Sequence, residues 1–140
     1  MCVTSGQLIP KDHMAKFQGV TFTGKSGEKY FFHAWPLETR FKPVGAVYFV
    51  TKRVYSNQTY GRRASHEGVF IGQTDNLADP LSTQTQLACF KKYGANCVCV
   101  CLIPNEQQRV SIEQDLIAGH STSCNDEREA RNHRHSEIAG

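Results

Sequence analysis

The sequence has no apolar stretch approaching the roughly 20 residues that a membrane-spanning helix needs. Its first residues, Met1-Cys2-Val3-Thr4-Ser5-Gly6, lack the basic start and apolar core of a secretory signal. The expectation is a cytoplasmic protein with no membrane partner. Charge of one sign is not in large excess either. Lys and Arg number 16 against 13 Asp and Glu, giving a net charge of +3 and a pI of about 8.6. A pI above roughly 9 would be the stronger footprint of a nucleic-acid binder, so this balance permits such a partner without demanding one. Also missing is any Cys-x-x-Cys pair, the spacing that lets two sulfurs turn onto one metal ion. What is present is ordinary. Hydrophobic residues make up 39% and charged residues 21% of 140 residues, enough for one soluble domain with its own core.

The six cysteines divide into two groups. Cys97, Cys99 and Cys101 alternate with Val98 and Val100. On a strand all three point to one face, and a free cysteine packs as a small apolar residue. They are expected in the core without metal. Cys2, Cys89 and Cys124 are scattered, and a cytosolic setting gives them no reason to pair.

Residues 1–18 show no periodicity and are expected to be a loose start. Gly19 to Thr23 and Lys29 to Trp35 are β-prone runs around the turn cluster Gly24-Lys25-Ser26-Gly27, which reads as a β-hairpin over 19–35. Gly24-Lys25-Ser26 shares its residues with the end of a phosphate-binding loop, but a strand surrounds it and no helix opens there, so that reading is set aside. Gly45 to Val50 and Val69 to Gly72 are apolar runs that read as an antiparallel pair, with the polar stretch Thr51 to Gly68 as a long loop. Leu77 to Tyr93 reads as a helix, with Pro80 near its start and Gly94 at its C-cap. Cys97 to Ile103 is apolar throughout, as a strand covered on both faces would be.

The clearest helix follows. Pro104 stops the strand, Asn105 can cap, and Gln108 completes a capping-box spacing. At about 100° per residue, Val110, Ile112, Leu116 and Ile117 share one arc. Glu113 projects near its middle, where a carboxylate is costly to bury without a partner. It is either a site residue or one half of an ion pair at a domain edge. Asp115 points elsewhere and reads as a solvated charge. The polar, mixed-charge segment 126–140 reads as a tail, and its His133 and His135 as solvated rather than metal-binding.

Taken together, Gly45-Ala46-Val47-Tyr48, Phe70-Ile71-Gly72-Gln73-Thr74-Asp75-Asn76-Leu77, Ile112-Glu113-Gln114-Asp115-Leu116-Ile117, and Asn125 twelve residues past Glu113 resemble the GIY-YIG nuclease superfamily. The match runs from about Val44 to Asn125 and rests on order and spacing rather than on one decisive motif. It is closest to small stand-alone members with an extra N-terminal β-hairpin. The resemblance implies an α+β fold, a three-stranded antiparallel sheet flanked by helices over 44–125, with the hairpin added in a single domain spanning 19–125. It also implies DNA phosphodiester cleavage with one divalent metal, Mg²⁺ or Mn²⁺. Carried over by position, Tyr48 is the first family Tyr, Glu113 the metal carboxylate and Asn125 the late Asn. The sequence departs from the family at three positions. The second family Tyr is Phe70, which lacks a hydroxyl; the family Arg, ten residues on, is Pro80; and the His four residues later is Gln84. Losing a charge-stabilising donor costs on the order of hundredfold to thousandfold in rate. Arg62 and Arg63 are the candidate substitute cations, and with Lys52 and Arg53 the candidate nucleic-acid contacts.

Three function classes follow. The first is a nuclease-fold module impaired in cleavage that binds nucleic acid, DNA or RNA. The second is a metal-dependent DNA endonuclease with a relocated Arg. The third is an adaptor that docks a protein partner on the extra hairpin.

Overall fold

The computed structural model describes residues 17–58, 61–78 and 84–126. The expected N-terminal segment up to residue 16, Pro80, and the tail beyond Asp126 with His133 and His135 lie outside them. The order of elements is β1 (Phe17–Thr23), β2 (Lys29–Pro36), β3 (Ala46–Gln58), β4 (Gly61–Thr74), α1 (Gln84–Lys92), β5 (Cys97–Leu102) and α2 (Glu106–Gly119), followed by a helical turn at 123–126. All five strands form one antiparallel sheet in the order β1-β2-β5-β3-β4. The class is therefore α+β, and the expected hairpin is present as β1–β2.

Alternation along the strands sorts the core into two layers. One face gathers Trp35, Tyr48, Val50, Phe70, Val98 and Val100 under Cys89 and Phe90 of α1. The other gathers Phe32, Val47, Phe49, Ile71 and the sulfurs of β5 under Ile112 and Leu116 of α2. β5 lies between β2 and β3 with a helix layer on each side. All six of its residues are buried, which is why its sequence is apolar without alternation.

Two helix ends follow from local chemistry. Asn105 Oδ1 accepts from the backbone N–H of Gln108 at 3.0 Å and opens α2. Gly94, at φ 72°, lets Ala95 N–H reach back to the Phe90 carbonyl at 2.9 Å and closes α1. α1 begins at Gln84, so the described helix is shorter than the expected Leu77–Tyr93 span.

The structure corrects three expectations. Thr51 to Gly68 is not a loop. β3 and β4 pair from Ala46↔Thr74 out to Gln58↔Gly61, with a bulge after Val50. β5 accompanies β3 only as far as Thr51, so the outer half of the pair runs on as a two-stranded ribbon. Such a ribbon has little to bury, so its polar sequence reads as a loop. Second, Cys89 and Cys124 are disulfide-bonded across 35 residues, and Cys101 is also in a disulfide, so neither Cys89 nor Cys124 is a free scattered thiol. Third, Asp115 is not a solvated charge. Its carboxylate accepts from Ser26 N (2.9 Å), Ser26 Oγ (2.6 Å) and the Tyr30 hydroxyl (2.7 Å), tying α2 to the β1–β2 turn. Gly19 to Ser26 has the G-x-x-x-x-G-K-S spacing of a phosphate loop but not its strand-to-helix context. Its glycines are separated by strand β1, and its Ser26 hydroxyl is committed to Asp115.

Candidate functional site

Tyr48 and Phe70 come from neighbouring strands onto the same face, with ring centroids 6.1 Å apart. Both are buried in the layer beneath α1. Gly72 makes room for this. A Cβ there would lie 2.5 Å from the Tyr48 hydroxyl and 3.0 Å from the Phe70 ring, so the tyrosine lies across the backbone of β4. Asn125 closes the outer edge of the same strand. Its Oδ1 accepts from Ile71 N at 2.7 Å and its Nδ2 donates to Ile71 O at 3.0 Å, a side-chain amide standing in for a neighbouring strand. Thr122 Oγ1 donates to the same Oδ1 at 2.6 Å.

Glu113 is half-buried on α2, whose buried residues Ile112 and Leu116 pack on the opposite face of the sheet. Tyr48, Phe70 and Asn125 are thus grouped around β4, and Glu113 approaches the sheet from the other side. One turn earlier, Arg109 is buried beside the end of β4. Its Nη1 donates to the carbonyls of Ile103 (3.0 Å) and Pro104 (2.8 Å), and its Nε to Gln73 Oε1 (3.0 Å).

The fit to a hard divalent ion rests on Glu113. The Asn125 amide oxygen already serves Ile71 and Thr122. A single carboxylate holds Mg²⁺ only with waters and substrate phosphate supplying the remaining oxygens.

The four candidate nucleic-acid cations all fall on the β3–β4 ribbon. Lys52 is exposed, beside the end of α1 at Gly94. Arg53 points to the opposite face and is engaged within the fold. Its guanidinium carbon sits 4.2 Å from the Phe17 ring centroid and 4.3 Å from that of Tyr55, and its Nη2 donates to the Tyr55 hydroxyl at 2.8 Å. The backbones of Arg62 and Arg63 pair with Asn57 and Ser56; their side chains lie outside what the structure describes, as does that of Gln84.

A second cluster lies on the face beneath α2. Cys97 is paired in register with Thr51 of β3, and Cys99 with Phe49. His66 of β4 is paired with Arg53, one same-face position beyond Thr51, and its Nδ1 is 2.8 Å from the Thr51 hydroxyl oxygen. One donor atom each from His66, Cys97 and Cys99 lie within 4.8 Å of one another. Cys97, Cys99 and Thr51 are fully buried, and Phe22 presents a ring to His66 at 6.2 Å.

The two thiols are unequal. A hydrogen bond from the Cys99 thiol pulls Cys97 down to about 5 against the effect of burial, with further help from His66 and Thr51. Burial pushes the Cys99 thiol well up, and its neighbour Cys97 adds to this. The pair therefore favours one thiolate stabilised by one thiol.

Of this second cluster, only the Cys-x-Cys alternation was visible in the sequence. His66 sits 31 residues from Cys97, in a stretch that reads as loop. Once the ribbon is known to be continuous, strand register alone places His66 next to Thr51. Comparison with protein-family models, with curated proteins and with solved structures returns no match.

Proposed function

We propose that this protein is a GIY-YIG-type nuclease-fold module, impaired in cleavage, that binds nucleic acid, and DNA first, along the β3–β4 ribbon. The observation that carries the reading is that ribbon. It projects past β5 and holds Lys52, Arg53, Arg62 and Arg63 within its paired length. A two-stranded ribbon is one of the few protein elements that the major groove of DNA admits. The core beneath it supports the same reading. β5, β3 and β4 are antiparallel neighbours with helices over both faces, in keeping with the helix-flanked antiparallel sheet that the resemblance implies.

Impaired cleavage follows from the departures. Phe70 offers no hydroxyl, and Pro80 stands where the family has its transition-state Arg. A divalent ion at Glu113 would polarise a phosphate, but a single carboxylate makes a weak site without substrate. The Cys89–Cys124 bond weighs against a cytoplasmic location, since the cytosol keeps such pairs reduced.

The test has two arms. Binding to a DNA duplex should weaken with salt at a log–log slope of about −0.9 per phosphate contact. Replacing Lys52, Arg62 and Arg63 by Ala should flatten that slope by about 2 to 3. Salt-independent or absent binding removes nucleic acid as the partner and directs attention to the β1–β2 edge as a protein-docking strand. In the second arm, supercoiled plasmid is incubated with Mg²⁺ or Mn²⁺ and should stay largely un-nicked. Robust nicking that vanishes in Glu113→Ala would overturn the impairment and make the protein a working endonuclease.

A further inference from the structure

We propose that Cys97, Cys99 and His66 form a binding site for a thiophilic metal ion of the zinc class, separate from Glu113 and independent of the nuclease reading. The donors stand on two strands of one sheet. Cys97 and Cys99 are successive same-face residues of β5, and His66 comes from β4 across the intervening β3. Strand register fixes all three, so little ordering is left for the ion to impose.

The distances suit such an ion. The donor atoms lie within 4.8 Å of one another. Around zinc, with about 2.3 Å to sulfur and about 2.0 Å to nitrogen, they would close to roughly 3.5–4 Å. Side-chain rotations on a fixed backbone can supply that contraction. The Thr51 hydroxyl holds the imidazole through Nδ1 at 2.8 Å, the kind of outer contact that orients a histidine ligand.

The donor chemistry selects the metal. Two sulfurs and an imidazole, among the rings of Phe22 and Phe49 and with no carboxylate in the donor group, suit soft or borderline ions and not Mg²⁺ or Mn²⁺. On binding, whatever proton the two sulfurs still hold between them passes to solvent, and each sulfur forms one bond to the metal. Two thiolates then balance a divalent charge, which makes burial of the centre tolerable. With three protein ligands one position stays open, as in zinc sites that do chemistry.

The state of the other cysteines points the same way. Cys89, Cys101 and Cys124 are all in disulfides, and among the described residues the free cysteines are Cys97 and Cys99. Successive same-face positions on a strand are about 6.5 Å apart at Cα. That is near the upper limit for a disulfide, usually about 6.8 Å. The pair is close enough to share an ion and poorly placed to oxidise with itself.

The test uses the full chain, stripped of metal by a chelator and titrated with Co²⁺ alone. The expected result is one ion per chain, with thiolate-to-cobalt charge-transfer bands, the visible bands of a four-coordinate ion, and displacement by Zn²⁺. Cys97→Ser and Cys99→Ser should each lose most of the charge-transfer intensity. His66→Asn, at a half-exposed position, should weaken binding at least about tenfold and change the visible bands. Because a serine at a buried strand position can disturb folding, protection is read on the unaltered chain. Zn²⁺ should protect the unaltered chain against thermal unfolding, raising its melting temperature with concentration, where Mg²⁺ should not. The proposal is overturned if no charge-transfer band appears, if the bands survive in the Cys97→Ser, Cys99→Ser double variant, or if Cys97 and Cys99 are found joined to each other as a disulfide.

Discussion

Asp115 was misread from its own helix because its partners are not on it. Periodicity correctly points it off the apolar arc. What it meets there is a hairpin turn 85 to 89 residues earlier, which no local pattern reports. Hydrogen bonds from Ser26 and Tyr30 hold its carboxyl below the usual carboxylate range. Because the folded value is depressed, its stabilising effect is complete above the ordinary carboxylate range and drains away as pH falls from there through the lowered value. Asp115→Asn should therefore flatten the acid side of the stability–pH curve and lower the melting temperature at neutral pH, with less difference from the unaltered protein in strong acid. Thermal melts across the acid range check this. Burial and Asp115 push Tyr30 up to about 12, so its effect is complete below the ordinary tyrosine range and is lost as pH rises toward that value.

Arg109 was equally hidden, since a cation one turn into a helix looks like surface. It is buried and bridges Gln73 to the carbonyls that end β5. Arg109→Leu should cost about 2 kcal/mol by leaving those acceptors unmet. Urea denaturation would show it as a lower midpoint at unchanged slope, and Arg109→Lys should recover only part of the loss. Glu113 stands out in the sequence as a charge on an apolar arc, but of that arc Ile112 and Leu116 are buried and Ile117 is exposed.

At the level of elements, strands that bury something announced themselves and the one that does not was missed. Gly45 to Val50, Val69 to Gly72 and Cys97 to Ile103 carry apolar runs because helices cover them. The ribbon beyond Thr51 is polar, with Tyr55 more than half exposed, and backbone pairing with a few polar and ring contacts of Arg53 and His66 keeps it extended. That is also why His66, and with it the second cluster, could not be placed from sequence. The Cys89–Cys124 bond acts at this scale too. It fastens α1 to the turn that carries Asn125, whose amide closes the edge of β4. Closing a loop of 35 residues stabilises by about 3–4 kcal/mol if the unfolded chain is the only state affected. Cys89→Ala with Cys124→Ala should lower stability by about that much. Amide exchange at Ile71 should speed up by more than at Phe49, since Ile71 also loses the hold on its cap.

For the whole molecule, the fold class and the grouping of three central strands were within reach of the sequence, but the order across the sheet was not. An all-apolar strand says only that it is interior. It does not say which neighbours it separates. Here β5 is the last strand in the chain and the middle one in space. Until it arrives, the β1–β2 and β3–β4 hairpins share no hydrogen-bonded boundary, and the inner edges of β2 and β3 are left open. On the ribosome both hairpins emerge well before Cys97, so the nascent chain passes through a period with two unpaired edges, a state prone to misassociation. Protease resistance of stalled nascent chains should rise in one step, only after Cys97–Leu102 has cleared the exit tunnel. A gradual rise, hairpin by hairpin, would mean that each half stands without its keystone. If the single step is right, a strand buried along its whole length also sets the moment at which this protein becomes safe to release.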